Sequence, residues 1–365
     1  MASGQVGKKS NPLVSICLMP SVGELRHIAG CCAILSLSRF IFDDVTWEAL
    51  PDMWQALLSL GAMQLSLVEN IGQPSGPEIL AFCASIFVTD SFCREVRTTL
   101  SPYLGLQIAR RYRAGTLAVL DRDQVAFANA GTGVNVIICY SGRRCDSLSS
   151  EHLLAIREKL AEAFRLAHSG YRLKELLCGP IGEEALHWAI DAGFRLRRDY
   201  SDYYQARNVP APESAKRPWL VGLTKEEALA DYGSRASGLF VFTPPRFHFA
   251  RCDQAILLHS LAGETDEEMA ANLSISLWTV KKRWKTIYER VEDVDSALLP
   301  NSCNGLAAES RGPERRRHLL AYLRLHPEEL RPLNGNRPPL QDPELPTKDL
   351  RIIVTSSKKP VKRSF

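Results

Sequence analysis

The chain has 365 residues, 45% apolar and 24% charged, with a formal net charge of +4. That length gives room for two or three domains with substantial cores, and the composition excludes a wholly disordered or fibrous chain. A charge this small says little about partners, so any case for an anionic one rests on where the basic residues lie.

The opening MASGQVGKKSNPLVSICLMPSVGE sets Lys8 and Lys9 before a brief apolar run broken at Pro20, too short for a secretory signal and without a cleavage site. No stretch reaches the roughly 18 to 20 uninterrupted apolar residues of a membrane span, so no membrane contact and a cytoplasmic location are the expectation. Residues 1–110 read as a mostly helical region. The grounds are the apolar spacing of ELRHIAGCCAILSLSRFIF and TWEALPDMWQALLSLGAMQL, Pro51 at a first turn, and a loop at NIGQPSGP. Residues 111–206 change character. GTLAVL, QVAFANA and VNVIICY read as strands, and SSEHLLAIREKLAEAFRLAHSG as a helix ended by Gly170. KELLC, GEEALHWAIDAG and FRLRRDYSDYY follow as strand, helix and strand, an alternation that predicts an α/β sensor domain. The prolines of RNVPAPESAKRP and FTPPRF mark a linker region over 207–245.

A C-terminal module is expected over 246–298. FARCDQAILLHSL forms a first helix ended by Gly263, Thr265 and Glu268 form a capping box for DEEMAANL, and Ser276 caps LWTVKKRWKTIYERVE. Links this short force the helices to cross steeply around a small apolar centre that includes Met269, Val280, Trp284, Ile287 and Val291. The third helix then carries Thr279, Lys281, Lys282, Arg283 and Lys285 toward its outer surface. Such a basic helix suits a DNA major groove, with Lys and Thr available to base edges and the remaining cations to phosphate. RGPERRRHLLAYLRLHPEELRPL extends the module as a helix over 299–340. Residues 341–365, with Lys358, Lys359, Lys362 and Arg363, read as a disordered basic tail.

Ten cysteines without a Cys-x-x-Cys pair exclude a disulfide scaffold and a zinc module, and read as core thiols in a reducing compartment, the adjacent Cys31 and Cys32 included. Eight scattered histidines give no metal cluster, and no cofactor is expected. His152, His168, Asp121 and Asp123 read as structural or solvated.

Residues 249–293 resemble the helix-turn-helix domain of LuxR-type bacterial transcription regulators. Gly263, Thr265, the EEMAANLSIS stretch and TVKKRWKTIYERV carry the match. The resemblance implies Val280 and Ile287 in the core, with Thr279 and Lys281 facing DNA. The chain departs from the family at Cys252, where arginine is usual, at His259 and Ser260, usually aliphatic, and at Arg283, where histidine is common. The segment 115–204 is similar to the distal half of a GNAT-type acyltransferase fold, with a late helix ending before Gly193 and Phe194. That similarity implies a later tyrosine, Tyr200, Tyr203 or Tyr204, able to protonate a leaving thiolate. The Arg/Gln-x-x-Gly-x-Gly/Ala phosphate loop of that family is missing. NAGTGVNV has the glycines but lies among strand residues. No G-x-x-x-x-G-K-[ST] occurs, and the acidic pair and lysine of a phosphoacceptor receiver are not found.

The expected fold class is therefore multidomain: an N-terminal mixed α/β domain with a helical start, plus a C-terminal all-α helix-turn-helix domain. The expected function is sequence-specific DNA binding in transcription regulation, without enzymatic activity. A homodimer would act on double-stranded DNA through Ser276, Thr279, Lys281, Lys282, Arg283 and Lys285, under an unidentified small-molecule effector. The alternatives are an acyl-CoA-dependent acyltransferase of GNAT-like fold or a protein-interaction module.

Overall fold

Two stretches, MQLSLVEN and EILAFCASIFV, are buried along almost their whole length and fold as central strands. The computed structural model describes residues 14–17, 25–71, 78–144, 148–300 and 308–333. Seven strands form one mixed sheet: β1 Val14–Cys17, β2 Met63–Asn70, β3 Glu78–Val88, β4 Val134–Arg143, β5 Leu173–Cys178, β6 Arg195–Arg198 and β7 Leu220–Thr224. Their spatial order is β1-β2-β3-β4-β5-β7-β6. Every neighbouring pair is antiparallel except β4 and β5.

Helices cover both faces. α1 Leu25–Leu35, α2 Asp44–Glu48 and α3 Leu50–Leu60 lie between β1 and β2 in the chain, and α4 Asp90–Thr98, α5 Leu104–Ala114 and α6 Arg122–Ala130 lie between β3 and β4. α7 Ser150–His168 connects β4 to β5, α8 Glu183–Asp191 connects β5 to β6, α9 Ser201–Ala206 lies between β6 and β7, and α10 Lys225–Ala230 follows β7. Alternation along the strands divides the core. Trp54, Phe82, Ile137, Leu177 and Tyr200 pack on the face that carries α1, α3 and α5, while Phe87, Val136, Phe164, Leu176 and Phe194 pack beneath α7 and α8.

Local chemistry sets the boundaries. Gly61, at φ 73°, ends α3 in the left-handed conformation and sends the chain into β2. Asp121 and Gln124 form a capping box, which turns QVAFANA, expected as a strand, into α6. Gly105 sits where α5 crosses β4: a Cβ there would stand 2.7 Å from Tyr140 Cε1 and 2.9 Å from the Cys139 carbonyl oxygen. Gly105→Ala is therefore expected to cost about 1–3 kcal/mol through overpacking, measured as a lower urea midpoint at unchanged slope.

Past the sheet, α11 Arg251–Leu261, α12 Asp266–Asn272, α13 Leu277–Val294 and α14 Ala308–Leu325 surround Phe247, Ile256, Leu257, Met269, Val280, Trp284, Ile287, Val291 and Leu319. They are tied to the sheet layer. Arg331 is 3% exposed, donates from Nε to the Ser169 carbonyl (2.9 Å) and from Nη2 to the Leu166 carbonyl (2.6 Å), and lies 5.4 Å from the Tyr171 ring centroid. Asn129 Nδ2 donates to the carbonyls of Gly170 and Pro332, and Arg122 donates to Gln254. Gly170, at φ 84°, lets Glu328 approach so closely that a Cβ would lie 2.5 Å from the Glu328 Cα.

The expected fold class is corrected on these observations. The helical start is no separate region: α1–α3 are helical as expected, but residues 63–88 supply two central strands of the sheet that those helices cover. Nor do the C-terminal helices stand apart as an all-α helix-turn-helix domain, because buried polar contacts fasten them to a mixed-sheet body. The basic tail, 341–365, lies outside the described residues. Among the described residues no helix is long and apolar enough to cross a membrane.

Candidate active site

The parallel pair β4 and β5 separates partway along its length. Their register runs from Val134 opposite Leu173 to Ile138 opposite Cys178 and stops, while β4 continues to Arg143 against β3 alone. Two local features part them. β4 carries a bulge at Cys139, where Ser85 faces Ile138 and Ala84 faces Tyr140, and the extra residue bends the strand. β5 is followed by Gly179 and Pro180, and proline has no N–H to continue a ladder. Notches at the carboxyl ends of parallel strands are the usual ligand crevices of open sheets.

A cavity of about 1290 Å³ opens at this notch, between α7 and α8. That exceeds the roughly 300–1,000 Å³ of common small-ligand pockets and suits a long ligand. Its floor includes Ala81, Cys83, Ile138 and Cys178; Ile156 and Leu160 of α7 and Trp188 of α8 form walls, and Phe194 and Leu239 close the apolar far end. Charge gathers at the rim. Arg143 and Arg157 both donate to Oε1 of Glu184, at 2.7 and 2.6 Å, and Arg235 pairs with Glu158 at 2.6 Å. The arginine contacts, led by the hydrogen bond from Arg143, hold the Glu184 carboxyl below the usual carboxylate range. Burial pushes the Cys178 thiol up to about 12 and the Cys83 thiol well above its ordinary range, so both floor thiols are protonated.

The three tyrosines lie on the other side of the sheet. Tyr200 and Tyr204 pack with Tyr103, Leu177 and Leu220 in the core of the α1 face. Because β5 alternates, Leu177 touches that core while its neighbour Cys178 faces the cavity, so the strand end separates the two environments. Tyr200 is 1% exposed and takes the left-handed φ of 60° at the start of α9, beneath the Arg198 guanidinium 4.8 Å from its ring centroid. A non-glycine residue in that conformation costs of order 1–3 kcal/mol and persists only where its surroundings hold it. The Tyr204 hydroxyl is buried and has no hydrogen-bond partner among the described residues. Burial raises both phenols to about 12. Tyr203 stands at the edge, with Arg207 stacked 3.9 Å from its ring centroid.

The residues proposed for DNA lie on α13 and its cap. Ser276 Oγ accepts from the Thr279 N–H at 3.1 Å and lies 2.8 Å from the Thr279 hydroxyl, so both side chains serve the helix start. Lys281 is exposed, and Lys282 lies 5.1 Å from the centroid of the exposed Trp278 ring. Arg283 pairs with the buried Asp253 of α11 at 3.5 Å, and Lys285 reaches Glu289 at 3.7 Å. These residues lie on α13 and its cap, far in sequence from the β4–β5 notch, and none of them lines the cavity. Sequence reasoning missed the notch residues Arg143, Arg157 and Glu184, whose separation in the chain gives no motif. The glycines of NAGTGVNV sit at the opposite, entering end of β4, where Gly133 permits close approach to the Arg172 carbonyl.

No family model matches the chain, and no curated protein matches it. Solved structures do. A putative arylalkylamine N-acetyltransferase 7 from the yellow fever mosquito is 12% identical, with a TM-score of 0.34, over 58% of this chain and 87% of that one. The C-terminal condensation domain of Ebony, in complex with beta-alanyl-dopamine, is 9% identical, with a TM-score of 0.35, over 58% of this chain and 99% of that one. Scores this low transfer no residue roles. Both matches are to an acetyltransferase or condensation domain, and neither supports the expected non-enzymatic, LuxR-type DNA-binding transcription regulator.

Proposed function

We propose that the chain is an acyltransferase that takes its acyl group from a coenzyme A thioester. The observation that carries this reading is the β4–β5 notch opening into a long cavity with an apolar interior and an arginine rim. An extended ligand with an anionic head and an apolar arm fits both parts. Its head lies at Arg143 and Arg157, and its arm runs inward so that the thioester stands at the parting of the strands. Residues 134–198 fold as strand, helix, strand, helix, strand, the order of the GNAT-type resemblance.

The chemistry is direct transfer. Cys83 and Cys178 are held protonated and offer no thiolate, so no acyl-enzyme forms on them. An acceptor nucleophile attacks the thioester carbonyl, the new acyl bond forms, the carbon–sulfur bond breaks, and the departing thiolate takes a proton. Solvent at the open mouth supplies it, because Tyr204 lies on the opposite face of the sheet and does not line the cavity.

Calorimetric titration with acetyl-coenzyme A tests the reading. The protein should bind it, and Ala155→Trp, at an exposed α7 position lining the cavity, should weaken binding at least tenfold without lowering the urea midpoint. Absence of heat at millimolar ligand would remove the proposal.

A further inference from the structure

The rim of the cavity already holds an anion. Glu184, in the first turn of α8, reaches across the mouth and places one oxygen on two guanidinium groups, that of Arg143 at the end of β4 and that of Arg157 on α7. The exposures are unequal. The Arg143 and Arg157 side chains are 24% and 26% exposed, whereas the Glu184 side chain is 73% exposed. The two cations are thus part of the wall, and the carboxylate is an exposed group lying over them from outside. Arg157 is further fixed by the Trp188 ring, 5.9 Å from its guanidinium carbon.

Two half-buried guanidiniums converging on one oxygen match the geometry of a phosphate or diphosphate, which offers more charge and more acceptor oxygens than a carboxylate. An exposed ion pair is held weakly and exchanges readily. We propose that Arg143 and Arg157 form the anion site of the cavity, for the diphosphate of its ligand, and that Glu184 is a competing anion built into the chain. The identity of that ligand rests on the acyltransferase reading, but the anion site itself does not. Binding requires the diphosphate to displace the Glu184 carboxylate, which opens the bridge between α7 and α8. A second exposed bridge, Arg235 to Glu158, also lies among the residues lining the cavity. The carboxylate sets a threshold: ligands with a single weak anionic group do not displace it, and a diphosphate does.

The test uses inorganic pyrophosphate and coenzyme A titrated separately, by calorimetry, into the full chain and into Glu184→Gln. Glu226→Gln serves as a charge control, since it removes the same charge from an exposed turn that does not line the cavity. Pyrophosphate should bind Glu184→Gln roughly five- to tenfold more tightly than the unaltered chain, with less than a twofold change for Glu226→Gln. Arg143→Gln should reverse the gain when combined with Glu184→Gln. Equal pyrophosphate affinity in the Glu184→Gln and Glu226→Gln proteins would overturn the proposal, as would no pyrophosphate binding to either. The two readings separate cleanly. Tighter pyrophosphate binding without coenzyme A binding keeps the anion site and discards the acyltransferase. Coenzyme A binding that is indifferent to Glu184 keeps the acyltransferase and discards the competing carboxylate.

Discussion

Arg331→Ala is expected to destabilise the protein by about 3 kcal/mol. Hydrogen bonds to a charged group contribute roughly 1.5–3 kcal/mol each, and Arg331 makes two, to the Ser169 and Leu166 carbonyls at the end of α7. Those carbonyls have lost their helical partners at the helix terminus, so truncation leaves them buried without a donor. The ring of Tyr171 loses its cation as well. Burial lowers the Arg331 pKa from its ordinary value, so part of the gross interaction is already offset by desolvation, which is why the expected loss lies below the sum of the contacts. Urea denaturation measures it. Arg317→Ala, an exposed arginine on α14, should change stability by less than about 0.5 kcal/mol. Equal loss in the two variants would show that Arg331 contributes nothing beyond its charge. Limited proteolysis should also cut the Arg331→Ala protein faster between residues 241 and 250, where the chain passes from the sheet body to α11.

The second large effect is an acid instability centred on His168. This residue is fully buried between Phe87, Phe164 and Tyr171, with Nδ1 2.8 Å from the Phe164 carbonyl and Nε2 2.9 Å from the Ser85 hydroxyl. A carbonyl can only accept, so Nδ1 carries the hydrogen and Nε2 accepts from Ser85. The neutral ring is satisfied at both nitrogens, and a second proton would place a charge in a fully buried, largely apolar pocket. Burial, reinforced by the charge of Arg331, lowers its pKa from the ordinary 6.5 to about 4. The unfolded chain therefore binds the proton first. Stability contributed by the neutral ring is complete above pH 6.5 and is lost as pH falls toward 4, a total of roughly 3 kcal/mol for that separation. His168→Phe keeps a ring in the stack but cannot titrate. Its stability should fall less steeply between pH 6.5 and 4 than that of the unaltered chain. Parallel slopes would place the titrating group elsewhere, whatever the offset between the curves.

The sequence showed its helices best where side chains cap them. Thr265 with Glu268, and Ser276, begin α12 and α13 at the expected residues, because a hydroxyl accepting a backbone N–H is a local event. The helix between β4 and β5 was legible from its apolar spacing and from Gly170 just past its end. The central strands were not. β3 is buried on both faces, which removes the alternation that marks a strand, whereas the alternation of MQLSL in β2 was present and unused, its first residues having been read with the preceding helix. The capping signal at Asp121 was present and unused, and QVAFANA was misread in consequence. Position in the fold was hidden as well. Arg143, Arg157 and Glu184 come from a strand end, a helix and the next helix, and only the sheet brings them to one mouth. A basic helical face, by contrast, is obvious in one dimension, and it drew the functional expectation toward α13.

Asn129, the Leu166 and Ser169 carbonyls and the Tyr171 ring all wait for residues 331 and 332, up to 203 positions later in the chain. During synthesis those groups form well before their partners leave the ribosome. A nascent chain that has completed the sheet thus carries an unfinished polar seam beside Phe164 and Tyr171, and closure of that seam must be among its last folding events. Chaperone dependence should accordingly be greatest for chains arrested between completion of β7 and emergence of Arg331, and should fall once that residue is free to dock.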